Sequence, residues 1–569
     1  MRYNYLPMIA NPMRKSLILV VVPVVLLLNG CGSGNQITRK DVGGAEKLTG
    51  VEFSKKEQTM MLGYLQDNRK GYDSMRKIRL DFNLAPAIYF DPRPDHFVPH
   101  AREKKEPDWK ITADMELPSS DEEIAFMTVA QLGPMLKSGK ISSTSLTKIY
   151  LARLKKYNDT LFATVTITEE LALRQAAKAD EEIAKGNYRG PLHGIPYGIK
   201  DLFAIPGYKT TWGAEPYKDQ VIEQTATVVR RLEEAGAVLA AKLTSGALAR
   251  GDVWFGGRTK NPWDLKQGAS GSSAGSASAT AAGLVAFSIG TETLGSIISP
   301  SSRCGATGLR PTFGSVSRFG AMSLSWSMDK AGPICRSAQD CAIVFSIIKG
   351  SDGLAERDRS VVDYPFSFHP PQDLKGYKIG YFKKLFDKDT TRTSAPNVES
   401  LKLLKDMGAE LHEVALPDSV FFNAFDIILR AEAGSFFDEL VREHKDRLLS
   451  EQDEDSRANS LRQSRFISAV EYLQAYRHRK ILIEKFHKII SQYDFLVGPE
   501  NGRNISLITN LTGHPAISIP NGLDKRGRPT SFILIGNLYD EGPMLEAAYL
   551  IQQASEHDEK HPPLFMGKR

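Results

Sequence analysis

Hydrophobic and polar positions change rhythm along the chain. Residues 17–28 form an unbroken apolar run behind Arg14 and Lys15. From Thr128 onward the pattern becomes periodic. Ser142 and Ser143 stand where a helix cap is expected, ahead of Leu146, Ile149, Tyr150, Leu154 and Tyr157 at helical spacing. A second helix is expected from about Thr168, with Glu169 and Glu170 in its first turn, facing the positive end of the helix dipole, and Lys185-Gly186 at its end. The period then shortens. Residues 194–203 read as a strand, 225–235 as a helix stopped by Gly236, and 237–243 as a short buried strand. Strands alternating with helices of this length predict an α/β fold whose sheet is covered by helices on both faces. Residues 351–490 are more polar and helix-rich, including 470–490, and read as an insertion or cap over the sheet; 493–499 and 515–520 read as returning strands. No internal repeat is visible.

Composition adds boundaries. With 569 residues, 41% hydrophobic and 25% charged, the chain can build a sizeable core, which excludes disordered, collagen-like and disulfide-scaffold proteins. The length alone suggests roughly three or four domains, although α/β enzymes often build one large sheet from it. A net charge of +6 raises the question of nucleic acid, but Arg2, Arg14 and Lys15 lie in the first 30 residues with no acid among them. The remainder, 70 basic against 67 acidic residues, calls for no nucleic-acid partner.

The apolar run reads as part of an export signal, residues 1–30. Twelve residues rise only about 18 Å as a helix, short of the roughly 30 Å hydrocarbon core of a bilayer. Leu28-Asn29-Gly30-Cys31 resembles the lipobox of bacterial lipoproteins, with Asn29 where that pattern has a smaller residue. Acylation of Cys31 would anchor the protein to a lipid bilayer in the cell envelope, in the periplasm or at the outer membrane. The alternative is an ordinary signal peptide with an incidental cysteine. Residues 32–60, opening Gly32-Ser33-Gly34, read as a tether within a 31–97 extension, and 98–560 as the main domain. Cys304, Cys335 and Cys341 permit at most one disulfide, and no CxxC or Cys/His cluster suggests a metal site.

The run from Gly268 to Gly283, nearly all Gly, Ser and Ala, is the most unusual segment. By composition it could be a linker, but its flanks are core-like, which places its small residues where backbones approach closely. A phosphate loop lacks its GK[ST] end. Gly271-Ser272-Ser273-Ala274-Gly275 satisfies G-x-S-x-G and would make Ser273 the nucleophile of a Ser-His-Asp hydrolase, yet the preceding 264–270 is too polar for the central strand such an elbow needs. Ser145-Leu-Thr-Lys148 matches S-x-x-K, but lies inside an amphipathic helix with no KTG after it.

Five segments in order resemble the amidase signature hydrolases, over about Thr128 to Ala554. These are Arg189-Gly-Pro-Leu-His-Gly-Ile-Pro-Tyr-Gly-Ile-Lys-Asp201, Asn261-Pro-Trp-Asp264 with the Gly/Ser run, Gly290-Thr-Glu-Thr-Leu-Gly-Ser-Ile297, Cys304-Gly-Ala-Thr-Gly-Leu-Arg-Pro-Thr312, and Asn510-Leu-Thr-Gly-His-Pro-Ala-Ile-Ser-Ile-Pro520. The resemblance implies a single large domain around a mixed, twisted sheet, and an amidase that hydrolyses a small-molecule amide with no cofactor and no metal. Lys200 would be the base, Ser272 a bridging serine held by a cis peptide, and Ser296 the nucleophile carrying the acyl-enzyme. The backbone N–H groups of Thr293, Leu294, Gly295 and Ser296 would form the oxyanion hole. A lysine serves as base only when neutral, so working near pH 7 requires a drop of roughly three pKa units, equivalent to about 4 kcal/mol. Burial in the apolar stretch 195–203 is the means, with Asp201 turned to the opposite face by the two-residue period.

His193 and His514 sit beside Gly and Pro and read as structural, and Cys304 as a small buried hydrophobe. Three positions depart from the family pattern: Glu292 for Asp, Leu294 for Gly and Ile298 for Arg. Loss of that Arg leaves Glu292 either paired differently or partly protonated, and Leu294 could reshape the oxyanion hole. A non-catalytic binding or scaffolding lipoprotein that retains the fold is the alternative function. Substrate identity and oligomeric state stay open.

Overall fold

The computed structural model describes residues 36–566 except 101–104, 113–114, 352–357, 419–425 and 501. The leader 1–30 and Cys31 therefore lie outside the described residues. The strands are β1 (Thr164–Ile167), β2 (Pro196–Lys200), β3 (Val238–Leu243), β4 (Val253–Trp254), β5 (Gly257–Arg258), β6 (Lys260–Asn261), β7 (Asp264–Gly268), β8 (Phe287–Glu292), β9 (Thr307–Arg310), β10 (Lys330–Cys335), β11 (Lys378–Tyr381), β12 (Glu410–Glu413), β13 (Phe495–Pro499), β14 (Ala516–Leu523) and β15 (Pro529–Gly536). Eleven of them make one sheet in the order β1-β3-β2-β8-β10-β9-β14-β15-β13-β11-β12. Pairing is parallel for β3-β2-β8 and for β13-β11-β12, and antiparallel elsewhere, so the sheet is mixed.

Both faces of the sheet are covered, and alternate residues of single strands show it. Along β13, Phe495 and Val497 enter one apolar core while Leu496 enters another; along β15, Phe532 and Leu534 part from Ile533 and Ile535 in the same way. Successive side chains of a strand point to opposite faces, so the two cores flank the sheet. The first core takes in helix Ala338–Ile348, the second helices Asp426–Phe436 and Ala469–Ile490.

Three expectations need adjustment. Segment 351–490 is not only a helical cap, because its β11 and β12 extend the sheet at one edge. These strands are four residues long, and β12 carries exposed Glu410 and Glu413, so neither reads as a buried apolar run. The expected tether contains helices Arg39–Thr49 and Lys55–Met75, whose ends are closed by reciprocal capping from Thr38 with Asp41 and Ser54 with Glu57. Those helices belong to a small unit ending at Arg79; the large unit starts at Leu80, not at 98, and holds its early residues, for instance by the Gly320 N–H donated to Asn83 Oδ1 at 3.0 Å.

The polar stretch 264–268 is β7, paired only with β6 in a separate hairpin. The Gly/Ser run leads into helix Ala274–Ala281, every residue of which is buried. Its small residues are required there. A Cβ on Gly271 would lie 1.8 Å from Gly251 O, and one on Gly275 2.3 Å from Thr244 N.

Candidate active site

Parallel pairing of β2 with β8 sets Tyr197 against Phe287 and Ile199 against Ile289, so both strands end at the same edge of the sheet. Lys200 is the last residue of β2. Ser296 lies in the turn between β8 and helix Ile298–Cys304. Ser272 comes from the loop before helix Ala274–Ala281, and the Gly271–Ser272 peptide is cis. Loops after the C-terminal ends of parallel strands are where α/β sheets place their sites.

Lys200 is fully buried, and its Nζ lies 2.8 Å from Ser272 Oγ and 2.9 Å from Thr291 Oγ1. Burial brings its pKa down from 10.5 to about 7, against the opposing pull of Asp329 and Glu292. Asp201 does not hold the charge. It is turned to Lys242, 2.8 Å away, and accepts the Thr211 N–H at 2.8 Å. The sequence-expected contact between base and bridging serine is therefore made. The next link is not: Ser272 Oγ and Ser296 Oγ share no hydrogen bond, and the loops meet instead through the Ser273 N–H donated to Ser296 O at 3.1 Å. Such contacts tighten when substrate or a transition state fills the site.

Ser296 sits at the wall of a cleft of about 860 Å³, together with Gly271, Thr293, Leu294 and Gly295. Among the described residues, no hydrogen bond engages the backbone N–H of Thr293, Leu294, Gly295 or Ser296. Four free donors in one turn can stabilise an oxyanion. Gly295 takes the left-handed φ of 83°, whereas Leu294 does not; its side chain is 37% exposed and lines the cleft. The departure at 294 thus alters the cleft wall and leaves the turn to Gly295.

Glu292 is paired. Its Oε2 accepts the N–H groups of Ile297 and Ile298 at 2.9 and 3.0 Å, and its Oε1 accepts from Arg310 Nη1 and Asn510 Nδ2, each at 2.8 Å. Burial pushes its pKa up, but Arg310 and Lys330 outweigh that and hold it at about 2. Glu292 is therefore ionised, and Arg310, from β9, supplies the cation that position 298 lacks.

Ser273 is occupied elsewhere: its Oγ donates to Thr291 O at 3.1 Å and accepts the Thr291 N–H at 3.2 Å. Ser145 lies in the first turn of its helix, with its N–H donated to the capping Ser142 Oγ. His514 is buried with Nδ1 2.8 Å from Thr512 Oγ1, His193 Nδ1 accepts the Arg189 N–H, and burial raises the Cys304 thiol pKa. Sequence reasoning missed Thr291 and Asp329. Asp329 Oδ1 accepts the Thr293 hydroxyl at 2.5 Å, and its Oδ2 accepts the N–H groups of Leu324 and Ser325. Nothing in Met328-Asp329-Lys330 marks it in sequence, whereas Arg310 and Asn510 lie inside motifs already noted.

The family profile described as Amidase matches residues 145–545. A glutamyl-tRNA(Gln) amidotransferase subunit of Carboxydothermus hydrogenoformans is 31% identical over 488 residues, covering 78% of this chain and all of that protein. The corresponding subunit of the Methylococcus capsulatus amidotransferase is 34% identical over 481 residues, covering 76% of this chain and 98% of its own. Among solved structures, the peptide amidase of Stenotrophomonas maltophilia superimposes with a TM-score of 0.69 at 28% identity, over 77% of this chain and 98% of that one.

Proposed function

The chain belongs to the amidase family, and from that premise we propose that it hydrolyses a small-molecule carboxylic amide through an acyl-enzyme on Ser296, with Lys200 and Ser272 as its proton relay. The observation that carries this reading is the 2.8 Å contact between Ser272 Oγ and a fully buried Lys200 whose pKa is brought to about 7. Neutral Lys200 takes the Ser272 hydroxyl proton as Ser272 takes that of Ser296, and Ser296 Oγ bonds to the amide carbon. The carbonyl oxygen becomes an oxyanion facing the N–H groups of residues 293–296. The C–N bond then breaks, and the proton returns through Ser272 to the leaving nitrogen. Water, deprotonated by the same relay, attacks the ester and frees the acid.

A fluorophosphonate probe followed by peptide mapping tests the assignment. Labelling is expected at Ser296, abolished by Ser296→Ala and reduced by Lys200→Ala. Labelling at Ser273 would overturn it in favour of the G-x-S-x-G reading, and no labelling of the folded protein would return the chain to a scaffolding role.

The apolar 17–28 run and Cys31 support a second element of the proposal, an acylated envelope lipoprotein. No helix among the described residues is long and apolar enough to cross a membrane. In this proposal the attachment is the acyl group on Cys31. Cys31→Ser should move the protein from the membrane to the soluble fraction; unchanged fractionation would sink the anchor. Relatedness to amidotransferase subunits favours a second reading, a glutaminase acting within a complex. The export proposed from the N-terminal segment would disfavour it, because tRNA amidation belongs to the cytoplasm.

A further inference from the structure

A separate cavity, of about 180 Å³, lies in the large unit, where four segments distant in the chain meet. Gln267 comes from β7, Arg303 from the last turn of helix Ile298–Cys304, Arg392 from just ahead of helix Ser394–Asp406, and Arg528 with Pro529 from the entry to β15. Among the described residues that line it, three of five are arginines and none is an acid. Two of the arginines have carboxylate partners outside the lining. Arg528 Nε donates to Asp524 Oδ2 at 2.9 Å, and Arg392 Nη2 to Glu500 Oε1 at 3.1 Å. Arg303 has none: among the described residues its guanidinium makes neither a hydrogen bond nor an ion pair, and Arg528 Nη1 makes no hydrogen bond. These nitrogens are open to solvent, not sealed inside the protein. Like charges gathered around one space repel unless a counter-charge enters it. The occupant such a lining suits is an oxyanion. A carboxylate has two oxygens in one plane and is matched by a single guanidinium fork, whereas donors from three arginines on separate segments suit a tetrahedral anion with oxygens pointing several ways.

We propose that this cavity binds a phosphate group, as inorganic phosphate or as a small phosphomonoester, through Arg303, Arg392 and Arg528. The site is tied to the cleft of Ser296, although no residue lines both. Glu500, the partner of Arg392, lines the cleft. Helix Ile298–Cys304 presents Ser299 to the cleft and Arg303, one turn on, to the cavity. A bound phosphate competes with Glu500 for Arg392, so occupancy of the cavity and the charge on the cleft wall are coupled.

Calorimetric titration of the full-length protein with inorganic phosphate reads the site directly, at about pH 8, where a phosphate is largely dianionic, and at an ionic strength held constant with chloride. A single phosphate should bind per chain, and chloride should not replace it. Arg303 has no bond to lose, so Arg303→Gln should fold as the wild type does and weaken binding about tenfold or more. Arg303→Glu should abolish binding. Glu500→Gln removes the competitor for Arg392 and should tighten binding about threefold. Glycerol 3-phosphate separates the two sources: tighter binding than inorganic phosphate identifies an ester as the ligand, weaker binding the free ion. No saturable binding below about 10 mM, or an affinity indifferent to both Arg303 variants, would overturn the proposal. Unchanged or weaker binding in Glu500→Gln would overturn its link to the cleft. Binding heat needs no turnover, so these outcomes stand apart from the fate of the amidase reading.

Discussion

Arg310 Nη1 donates to Glu292 Oε1 across 2.8 Å, and both side chains are buried. The other carboxylate oxygen takes the N–H groups of Ile297 and Ile298, so the pair fastens the turn that carries Ser296 to β9. A buried ion pair of this kind is valuable for what its loss exposes: removing one partner leaves an uncompensated charge.

Glu292→Ala should therefore cost about 3–5 kcal/mol of stability. Acylation of Ser296 by a fluorophosphonate should fall by about 10² as the oxyanion turn loosens. Glu292→Gln keeps an acceptor and should fall between. Denaturant unfolding and labelling rates check both, and a stable Ala variant of normal reactivity would deny Glu292 its role.

Lys200 acts as a base only when neutral. With its pKa near 7, Ser296 acylation should rise with pH through neutrality and level off above about pH 8. Asp329 opposes the drop, favouring the charged lysine. Asp329→Asn should accordingly move this limb to lower pH. Acylation rates measured from pH 5 to 9, about four units, read it directly, and a pH-independent rate would remove Lys200 from the relay.

Burial of Lys200 should also be visible in stability. Between about pH 7 and 10.5 the unfolded chain binds the lysine proton and the folded one does not, so the wild type gains stability as pH rises through that window. Lys200→Met removes the penalty. It should be inactive yet more stable by about 2–4 kcal/mol at pH 7.5, the gain shrinking towards pH 10. Unfolding curves at the two pH values test this; a destabilised variant would show that the lysine is held by more than its burial costs.

Ser273 and Ser296 should separate cleanly. Ser273→Ala loses two hydrogen bonds to Thr291, so it should destabilise by about 1–2 kcal/mol and slow acylation less than tenfold. Ser296→Ala should lose about 10⁴ or more. Equal losses would revive Ser273 as nucleophile.

Much of the site was legible because its chemistry is local in sequence. Lys200 ends a short apolar strand, Ser272 lies in a run of small residues, and Ser296 follows a strand by four residues, each inside a motif that can be read without knowing its neighbours. The alternating pattern likewise announced an α/β sheet. The edge strands β11 and β12 escaped, since an edge can carry exposed glutamates and needs no apolar run.

The chain's own order of residues thus carried the set of reactive groups and the strand period that turns Asp201 away from Lys200. Partnership came only with the folded molecule: Arg310, eighteen residues on, neutralises Glu292, Asp329 holds Thr293, and Arg303, Arg392 and Arg528 meet around a separate cavity. Burial and charge pairing depend on distances between segments far apart in the chain, which no local pattern encodes. A strand's period sets the face of its own side chains, but packing of the whole sheet sets what each face meets.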